Sequence, residues 1–453
     1  MHAQSMGRIF FVLLLTASVC RAQQSAPERK EFSFTSVDLE LLDKSNQLDK
    51  QFQEKGLVYN DPDTAKYLTK VGQAVLPKGD ASQNVQWQFF ILRDTVPNAF
   101  ALPNGSIYVH TGLLALLENE AQLAAVLAHE ETHVMDRHGY LENRSYRKKA
   151  AAGIILAGAF SAGGIAGGIG NEAAILVQLA VPSILMASAN GYSRNLEEEA
   201  DLRAVHSLVD AGYSAGEMEN LFLVLQQDHD VDLNKKGFYQ DHPKLQDRSN
   251  SVGKLVASLQ PRTAGLSVEA DRYLIETETA VRHDADLEIR AGRARTAVWV
   301  MERIVKRDDK LADNFYILGE AYRGLGPRTP EPKSEELTQK GRDKARQTLT
   351  KMTLQEYEET LLKAPGGQQT LESNELLAEK NYKRALEISS DLAGPHRGLG
   401  LLYEQERKPE QSAAEFREYL KLAPAAVDSP RIGRRLEAME KGTVGTSSPP
   451  HAK

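Results

Sequence analysis

The first half of the chain alternates apolar and polar residues with two different periods. Apolar positions in residues 38–76 recur at helical spacing. Residues 85–92 alternate as a β-strand does, and the apolar runs on either side of the Asn-Gly pair at 104–105 predict a hairpin. Residues 118–138 predict a helix with Asn119 as its N-cap. Together these patterns predict a domain that is mainly α-helical with a small β-sheet.

Two apolar segments follow, at residues 150–170 and 173–189. Together they could form a transmembrane hairpin. The first is rich in glycine and therefore a poor helix. Arg144 and Lys148 would flank it on the non-cytoplasmic side of an exported domain, against the positive-inside tendency. We therefore favour a mobile apolar lid or a buried pair of helices, with membrane insertion as the alternative.

The second half of the chain contains long charged helices and a repeated pattern. Residues 396–424 place small, aromatic and terminating residues where a helix-turn-helix repeat of about 34 residues has them. A shift by one repeat aligns Ala378, Tyr382 and Ala385 with Ser412, Phe416 and Tyr419. Small residues let paired helices approach closely, and the aromatic rings fill the space between them. The pattern predicts a divergent tetratricopeptide array with an insertion at 327–374, and a plain helical bundle is the alternative.

The N-terminus has the composition of a secretory signal. Arg8 precedes an uncharged apolar run at residues 9–19, and small residues follow up to Ala22. The run is too short to span a bilayer comfortably. The only cysteine, Cys20, lies in this segment, so cleavage after Ala22 would leave a mature chain without a thiol. We expect export into a bacterial periplasm, with a lipid anchor on Cys20 as the alternative.

Length and charge narrow the class of protein. A chain of 453 residues favours two or three domains. Its formal net charge of −7 gives no support to a nucleic-acid partner, which would favour a basic face.

The candidate chemistry begins in the helix that follows the hairpin. His129 and His133 are four residues apart, which places both imidazoles on one helix face about 6 Å apart. This spacing suits two ligands of one tetrahedral Zn²⁺. Glu130 points close to the same side, where it could take a proton from a water activated by the zinc. The motif is moderately specific, and a catalytic site requires a third ligand.

A third ligand has to come from another helix. The metzincin pattern would need histidine at position 139, whereas this chain has Gly139, and His138 is one place off. Glu197 and Asp201 are four apart and share a helix face. One of them could bind zinc while the other accepts the second N–H of a ligating histidine. An acidic solvated helix face is the alternative interpretation.

Four stretches of the chain resemble those of the BepA-like periplasmic metallopeptidases in kind and in order. They are NAFALPNGSIYVHTGLL, HEETHVMDRHG, SRNLEEEAD and DHPKLQDR. The family is related to the HtpX heat-shock proteases and the CaaX prenyl proteases, and the resemblance covers roughly residues 40–255. It implies a gluzincin-type domain with His129, His133 and Glu197 as zinc ligands. It also implies Glu130 as the general base and Asp201 as the partner of a ligating histidine.

His242 occupies a loop position whose histidine can face the metal in this family. It could stabilise the oxyanion of the tetrahedral intermediate, or act as a fourth ligand that displaces water and inhibits the enzyme. The surrounding sequence YQDHPK predicts a loop able to swing away, so we favour the inhibitory role. A role in capping the following helix is the structural alternative.

These patterns divide the chain into five parts. We predict a signal peptide at 1–22, a zinc metallopeptidase domain at 23–258, a linker at 259–275, tetratricopeptide-like helical repeats at 276–425 and a polar tail at 426–453. The fold class is therefore a gluzincin-type metallopeptidase domain followed by an α-helical solenoid. We expect residues 23–258 to fold alone, because their core and site are local.

The predicted function is that of an exported zinc endopeptidase with one Zn²⁺ per chain. The strand around Asn98, Ala99 and Phe100 should bind the backbone of an extended substrate, which favours unfolded or outer-membrane proteins. The repeats would hold a protein partner. We expect no nucleic acid, and leave peripheral association with a membrane open. A chaperone or assembly adaptor with latent proteolysis and a membrane-embedded metalloprotease are the alternative functions.

Overall fold

The computed structural model describes residues 32–78, 83–151, 192–226, 245–263, 265–326 and 373–441. The first half contains the helices α1 (Ser36–Glu54), α2 (Pro62–Val75), α3 (Thr111–Leu116), α4 (Glu120–Met135), α5 (His138–Ala151), α6 (Arg194–Ala211), α7 (Gly216–Gln226) and α8 (Leu245–Thr263). The second half contains α9 (Ala270–Arg290), α10 (Ala294–Arg307), α11 (Ala312–Leu325), α12 (Asn374–Ile388), α13 (Ala393–Gln405), α14 (Pro409–Leu422) and α15 (Ser429–Glu440). The predicted fold class, mainly helical with a small sheet, is confirmed.

A three-stranded sheet lies beside the central helix. Its strands are β1 (Gln88–Leu92), β2 (Ala99–Ala101) and β3 (Ser106–His110), in the order β1-β3-β2. β1 runs parallel to β3, and β2 pairs antiparallel with β3 to form the predicted hairpin. Within the described residues, β2 is therefore an edge strand.

The central helix α4 is built as the sequence predicts. The Asn119 side chain accepts a hydrogen bond from the backbone N–H of Gln122 at 2.9 Å, so this residue is the N-cap. Every residue of α4 from Glu120 to Val134 is buried. It contacts α2, α6, α7 and β2, so polar side chains on α4 face other parts of the protein rather than solvent.

The second half packs directly on the first. The buried Tyr273 hydroxyl donates to Leu114 O at 2.6 Å, and Arg303 donates to Leu117 O at 2.7 Å. Arg272 also pairs with Glu120 at the start of α4. One hydrophobic cluster runs through both halves. This packing argues against the expectation that residues 23–258 fold as an independent unit.

The predicted linker at 259–275 is corrected. Helix α8 runs to Thr263 and α9 begins at Ala270. Between them, Ser267 exchanges backbone hydrogen bonds with Gly212 and Ser214, at 3.0 and 2.9 Å. These tertiary contacts hold the short segment between α8 and α9 in place. The proline and glycine residues alone had indicated a longer, flexible linker.

Small residues and aromatic rings mediate the helix pairing of the second half. A Cβ on Gly319 would lie 2.7 Å from the Tyr382 ring, and one on Gly400 would lie 2.4 Å from the Phe416 ring. All six residues aligned across the two predicted repeats are buried: Ala378, Tyr382, Ala385, Ser412, Phe416 and Tyr419. The helix pairing supports the predicted role of these residues, and the name tetratricopeptide stays a prediction.

The predicted polar tail at 426–453 is corrected for its first part. Residues Ser429–Glu440 form α15, and Ile432 is buried against Phe416 and Tyr419. Leu436 and Met439 also pack against this cluster, so the apolar residues of α15 recur at helical spacing, a signal that the sequence analysis missed.

Several predicted features lie outside the described residues. They are the signal peptide at 1–22, the lid or hairpin at 150–189 except for its first two residues, His242, and the insertion at 327–374 except for its last two residues. None of the helices in the described part of the chain has the length and apolar character needed to cross a membrane.

Candidate metal centre

The helix α4 brings His129 and His133 together. Their Nε2 atoms lie 3.0 Å apart, and both side chains are buried. The four-residue spacing places them one turn apart on the face that meets α6.

Glu197 completes a group of three. It lies in the first turn of α6, and its carboxylate oxygens are 3.6 Å from His129 Nε2 and 3.6 Å from His133 Nε2. Zinc ligands at about 2.0–2.1 Å in a tetrahedron are separated from one another by about 3.3 Å. The three observed separations lie close to that value. Two imidazole nitrogens and a carboxylate oxygen therefore fit a zinc ion in both donor type and spacing.

Glu130 lies next to the first histidine and is also buried, with 1% of its surface exposed. Its position is one residue from His129 on the same helix. The pKa of Tyr192 is raised, mainly by burial and also by the negative charges of Glu130 and Glu197. Glu130 is therefore buried and adjacent in sequence to a candidate ligand, as expected of the predicted general base.

Asp201 orients the first histidine, as the sequence analysis anticipated for one member of the acidic pair. Its Oδ1 lies 2.9 Å from His129 Nδ1, the nitrogen that faces away from Glu197. Burial alone would raise the pKa of Asp201, but the charge and hydrogen bonds of Arg248 outweigh it and lower the pKa to about 2. The carboxylate is therefore ionised at neutral pH and can hold a proton on His129 Nδ1.

Arg248 is a residue of this site that the sequence analysis missed. It is buried and donates to both oxygens of Asp201, at 2.7 and 2.6 Å. Its Nη1 also lies 2.8 Å from Glu197 Oε2. The stretch DHPKLQDR was noted for its resemblance to a family, but no spacing in the sequence links Arg248 to Glu197 or Asp201 on a separate helix.

His138 contacts the second histidine. It opens α5, and its Nδ1 lies 2.9 Å from His133 Nδ1. The sequence analysis had set it aside for not fitting the metzincin spacing. The turn at Arg137, with φ of 60°, reverses the chain and returns His138 to the end of α4.

A cleft borders the ligand group on the side of the sheet. Tyr192 lies flat on the His133 ring, with ring centroids 3.9 Å apart and an angle of 14° between the planes. The residues that line the cleft are Ala101, Leu102, Pro103, His133, Val134, Arg137, Gly139, Tyr140 and Tyr192. β2 and the loop after it therefore lead into the candidate metal centre.

The register of β2 corrects the predicted substrate contacts. Asn98 O and Leu102 N bond to β3, and Phe100 lies opposite Tyr108. In an antiparallel pair, residues that bond to the partner alternate with residues whose backbone groups point outward. The outward groups therefore belong to Ala99 and Ala101. Of the three predicted residues Asn98, Ala99 and Phe100, only Ala99 has this orientation, and the Phe100 ring packs in the core.

Most of the first half is similar to a known peptidase family. Residues 62–256 match the model of peptidase family M48. The match confirms the prediction of a metallopeptidase. The matched range includes His129, Glu130, His133, Glu197, Asp201 and Arg248.

Curated relatives show the same similarity. The chain is 29% identical over 242 residues to a putative beta-barrel assembly-enhancing protease of Vibrio cholerae, covering 51% of this chain and 47% of the relative. It is 24% identical over 241 residues to the beta-barrel assembly-enhancing protease of Escherichia coli, covering 51% of this chain and 46% of that protein. A mitochondrial metalloendopeptidase of Schizosaccharomyces pombe is 31% identical over 134 residues, which cover 29% of this chain and 39% of the relative. The chain thus matches about half the length of the two assembly-enhancing proteases.

Proposed function

We propose that this protein is an exported zinc endopeptidase that cleaves unfolded or misassembled proteins of the bacterial envelope. The observation that carries the proposal is the convergence of His129, His133 and Glu197 from two helices, with Glu130 buried beside them. The names of the two assembly-enhancing proteases support an envelope setting.

The catalytic roles follow from the chemistry of the side chains. His129, His133 and Glu197 would hold one zinc ion, which supplies Lewis-acid chemistry at the scissile carbonyl group and acidifies the attacking water. Glu130 takes the proton of that water and passes it to the leaving amine. Asp201 and Arg248 hold the ligands in place, because their contacts fix His129 and Glu197.

An extended peptide backbone is the substrate feature that the edge strand can bind. Ala99 and Ala101 direct backbone groups away from β3; both residues are buried, and Ala101 lines the cleft beside His133. Backbone pairing to a sheet edge depends little on substrate sequence. Folded proteins protect most of their unpaired strand edges, so this site favours unfolded chains. We propose that the helices of the second half hold the client or a protein partner.

The test compares metal content with proteolysis in a matched pair of variants. Wild-type protein should contain about one zinc per chain and cleave unfolded casein. Glu197→Gln should lose most of the zinc and the activity. Glu198→Gln, one residue further along α6 and bonded to Ser251 instead, should retain both. A wild type without zinc, or equal zinc content in both variants, would overturn the proposal.

A further inference from the structure

The position of His138 is set by an unfavourable backbone conformation. Arg137 has φ of 60°, in the left-handed region that non-glycine residues adopt at an energetic cost. This turn ends α4 and packs the His138 ring edge-on against His133, with centroids 5.0 Å apart and 72° between the planes. His138 is 1% exposed. Such strain persists where the surrounding structure holds a residue in a required place.

The contact between the two histidines has a definite direction. A neutral imidazole carries one N–H and one lone pair. His133 uses its Nε2 in the ligand group, so its proton is on Nδ1 when that lone pair binds a metal. The Nδ1 atoms of His133 and His138 are 2.9 Å apart. One must donate and the other accept, so His138 accepts on Nδ1 and carries its own proton on Nε2.

The surroundings of His138 favour that proton position. Its Nε2 lies 3.7 Å from Glu199 Oε2, beyond hydrogen-bond distance but close enough for the negative charge of the carboxylate to favour an N–H group there. Asp136 adds a second carboxylate beside the ring, and Arg203 Nε lies 2.9 Å from its Oδ2. The negative charge beside His138 Nε2 leaves the lone pair on Nδ1, where it faces His133.

We propose that His138 is a positioning residue that holds the proton of His133 on Nδ1 and so presents His133 Nε2 to the metal. Each ligating histidine then has its own partner: Asp201 for His129, and His138 backed by Glu199 for His133. The inference rests on the proposed zinc site, and it concerns how firmly that site binds its metal.

A second metal site in the same place is the competing interpretation. Ligand atoms of Asp136, His138 and Glu199 lie within 4.8 Å of one another. A metal on His138 Nε2 would move that ring's proton to Nδ1, where it could no longer accept from His133. Occupation of this second site would therefore conflict with zinc on His133, and the positioning role excludes it.

The experiment compares two substitutions of nearly equal shape. Asparagine can place its Oδ1 close to the position of the ring Nδ1 and accept a hydrogen bond, whereas leucine cannot. The zinc dissociation constants of full-length wild type, His138→Asn and His138→Leu are measured by competition with a chromogenic chelator. We expect His138→Leu to weaken zinc binding by about 10- to 100-fold, the usual effect of losing such a partner. His138→Asn should recover most of the affinity, which a merely space-filling role would not produce.

Glu199→Gln provides a variant that is safe for folding, because this side chain is 42% exposed. It should weaken zinc binding in the same direction but less. The inference would be overturned if His138→Leu bound zinc with wild-type affinity, or if the leucine and asparagine variants lost affinity equally. If His138→Leu did not fold, unchanged zinc affinity in Glu199→Gln would overturn it. So would a second zinc in wild type that His138→Asn removes. Absence of zinc from wild type would instead contradict the proposed function itself.

Discussion

The guanidinium group of Arg248 lies 2.8 Å from the carboxylate of Glu197, a predicted zinc ligand, and binds Asp201 with its other nitrogens. All three side chains are buried. Burial alone would lower the pKa of Arg248, but the charges of Asp201 and Glu197 raise it, so the arginine stays charged. One cation thus holds the metal ligand and the carboxylate that orients His129.

Arg248→Met should damage both stability and metal binding. It leaves two carboxylates buried without their cation, and breaking a buried ion pair costs about 3–5 kcal/mol. Urea unfolding of metal-free protein should show that loss, and zinc affinity should fall by about 10- to 100-fold. Arg307→Met is the control, since Arg307 pairs with the exposed Asp271 and should contribute less than about 1 kcal/mol. An Arg248→Met protein that binds zinc as tightly as wild type would show that the arginine is dispensable.

The burial of Asp284 should make the stability of the protein depend on pH. The Thr111 hydroxyl lies 2.8 Å from Asp284 Oδ1 and 3.0 Å from Asp94 O. Burial and the nearby Glu288 raise the pKa of Asp284 well above its usual range. The charge of Asp94 also raises this pKa, whereas the hydrogen bond from the Thr111 hydroxyl and the charge of Arg293 lower it.

Because the folded-state pKa is raised, the stability from Asp284 is complete below its unfolded pKa and is lost as pH rises through the folded pKa. Wild type should lose up to about 1.4 kcal/mol per pH unit in that window relative to Asp284→Asn, which cannot ionise. Urea unfolding of both proteins at pH 5, 6 and 7 measures the difference. A free-energy difference that stays constant across these pH values would show that Asp284 titrates normally.

The docking of the second half predicts which fragments fold. A fragment ending at residue 258 cuts through α8 and removes Tyr273, Arg272 and Arg303, which bond to the first half. We expect it to aggregate, whereas a fragment ending at residue 326 retains these contacts and should be soluble. Size-exclusion chromatography of both fragments checks this. A soluble, zinc-binding fragment ending at 258 would restore the expectation of an independent domain.

His242 remains a prediction, because it lies outside the described residues. If it inhibits as a fourth ligand, His242→Ala should cleave casein faster than wild type at equal zinc content, and this is the outcome that we expect. Loss of an oxyanion contact would instead lower kcat by about 10²- to 10³-fold. Equal rates would leave His242 as a capping residue.

Local signals in the sequence predicted local structure well. The hairpin around Gly105 and the Asn119 cap depend on neighbouring residues, and both are found as predicted. The candidate ligands could also be predicted, because helical spacing places His129 and His133 on one helix face and Glu197 and Asp201 on another. The contact of Arg248 with Glu197 could not, since no periodicity links residues on separate helices. The position of His138 likewise depends on a single unfavourable turn, which composition does not reveal.

The register of β2 and the docking of α9 show the same limit. Sequence identified the edge strand, but pairing with β3 decides that Ala99 and Ala101, rather than Phe100, face outward. Proline and glycine near residue 261 indicated a linker, but the contacts of Tyr273 with the first half override that signal.

Glu130→Gln tests the central claim most directly, because it separates metal binding from proton transfer. The amide has nearly the shape of the carboxylate but cannot take a proton from water. The zinc content and casein cleavage of the variant should be measured beside wild type. We predict about one zinc per chain in both proteins, and cleavage reduced by about 10²- to 10⁴-fold in the variant. Cleavage at the wild-type rate with zinc bound would contradict the account.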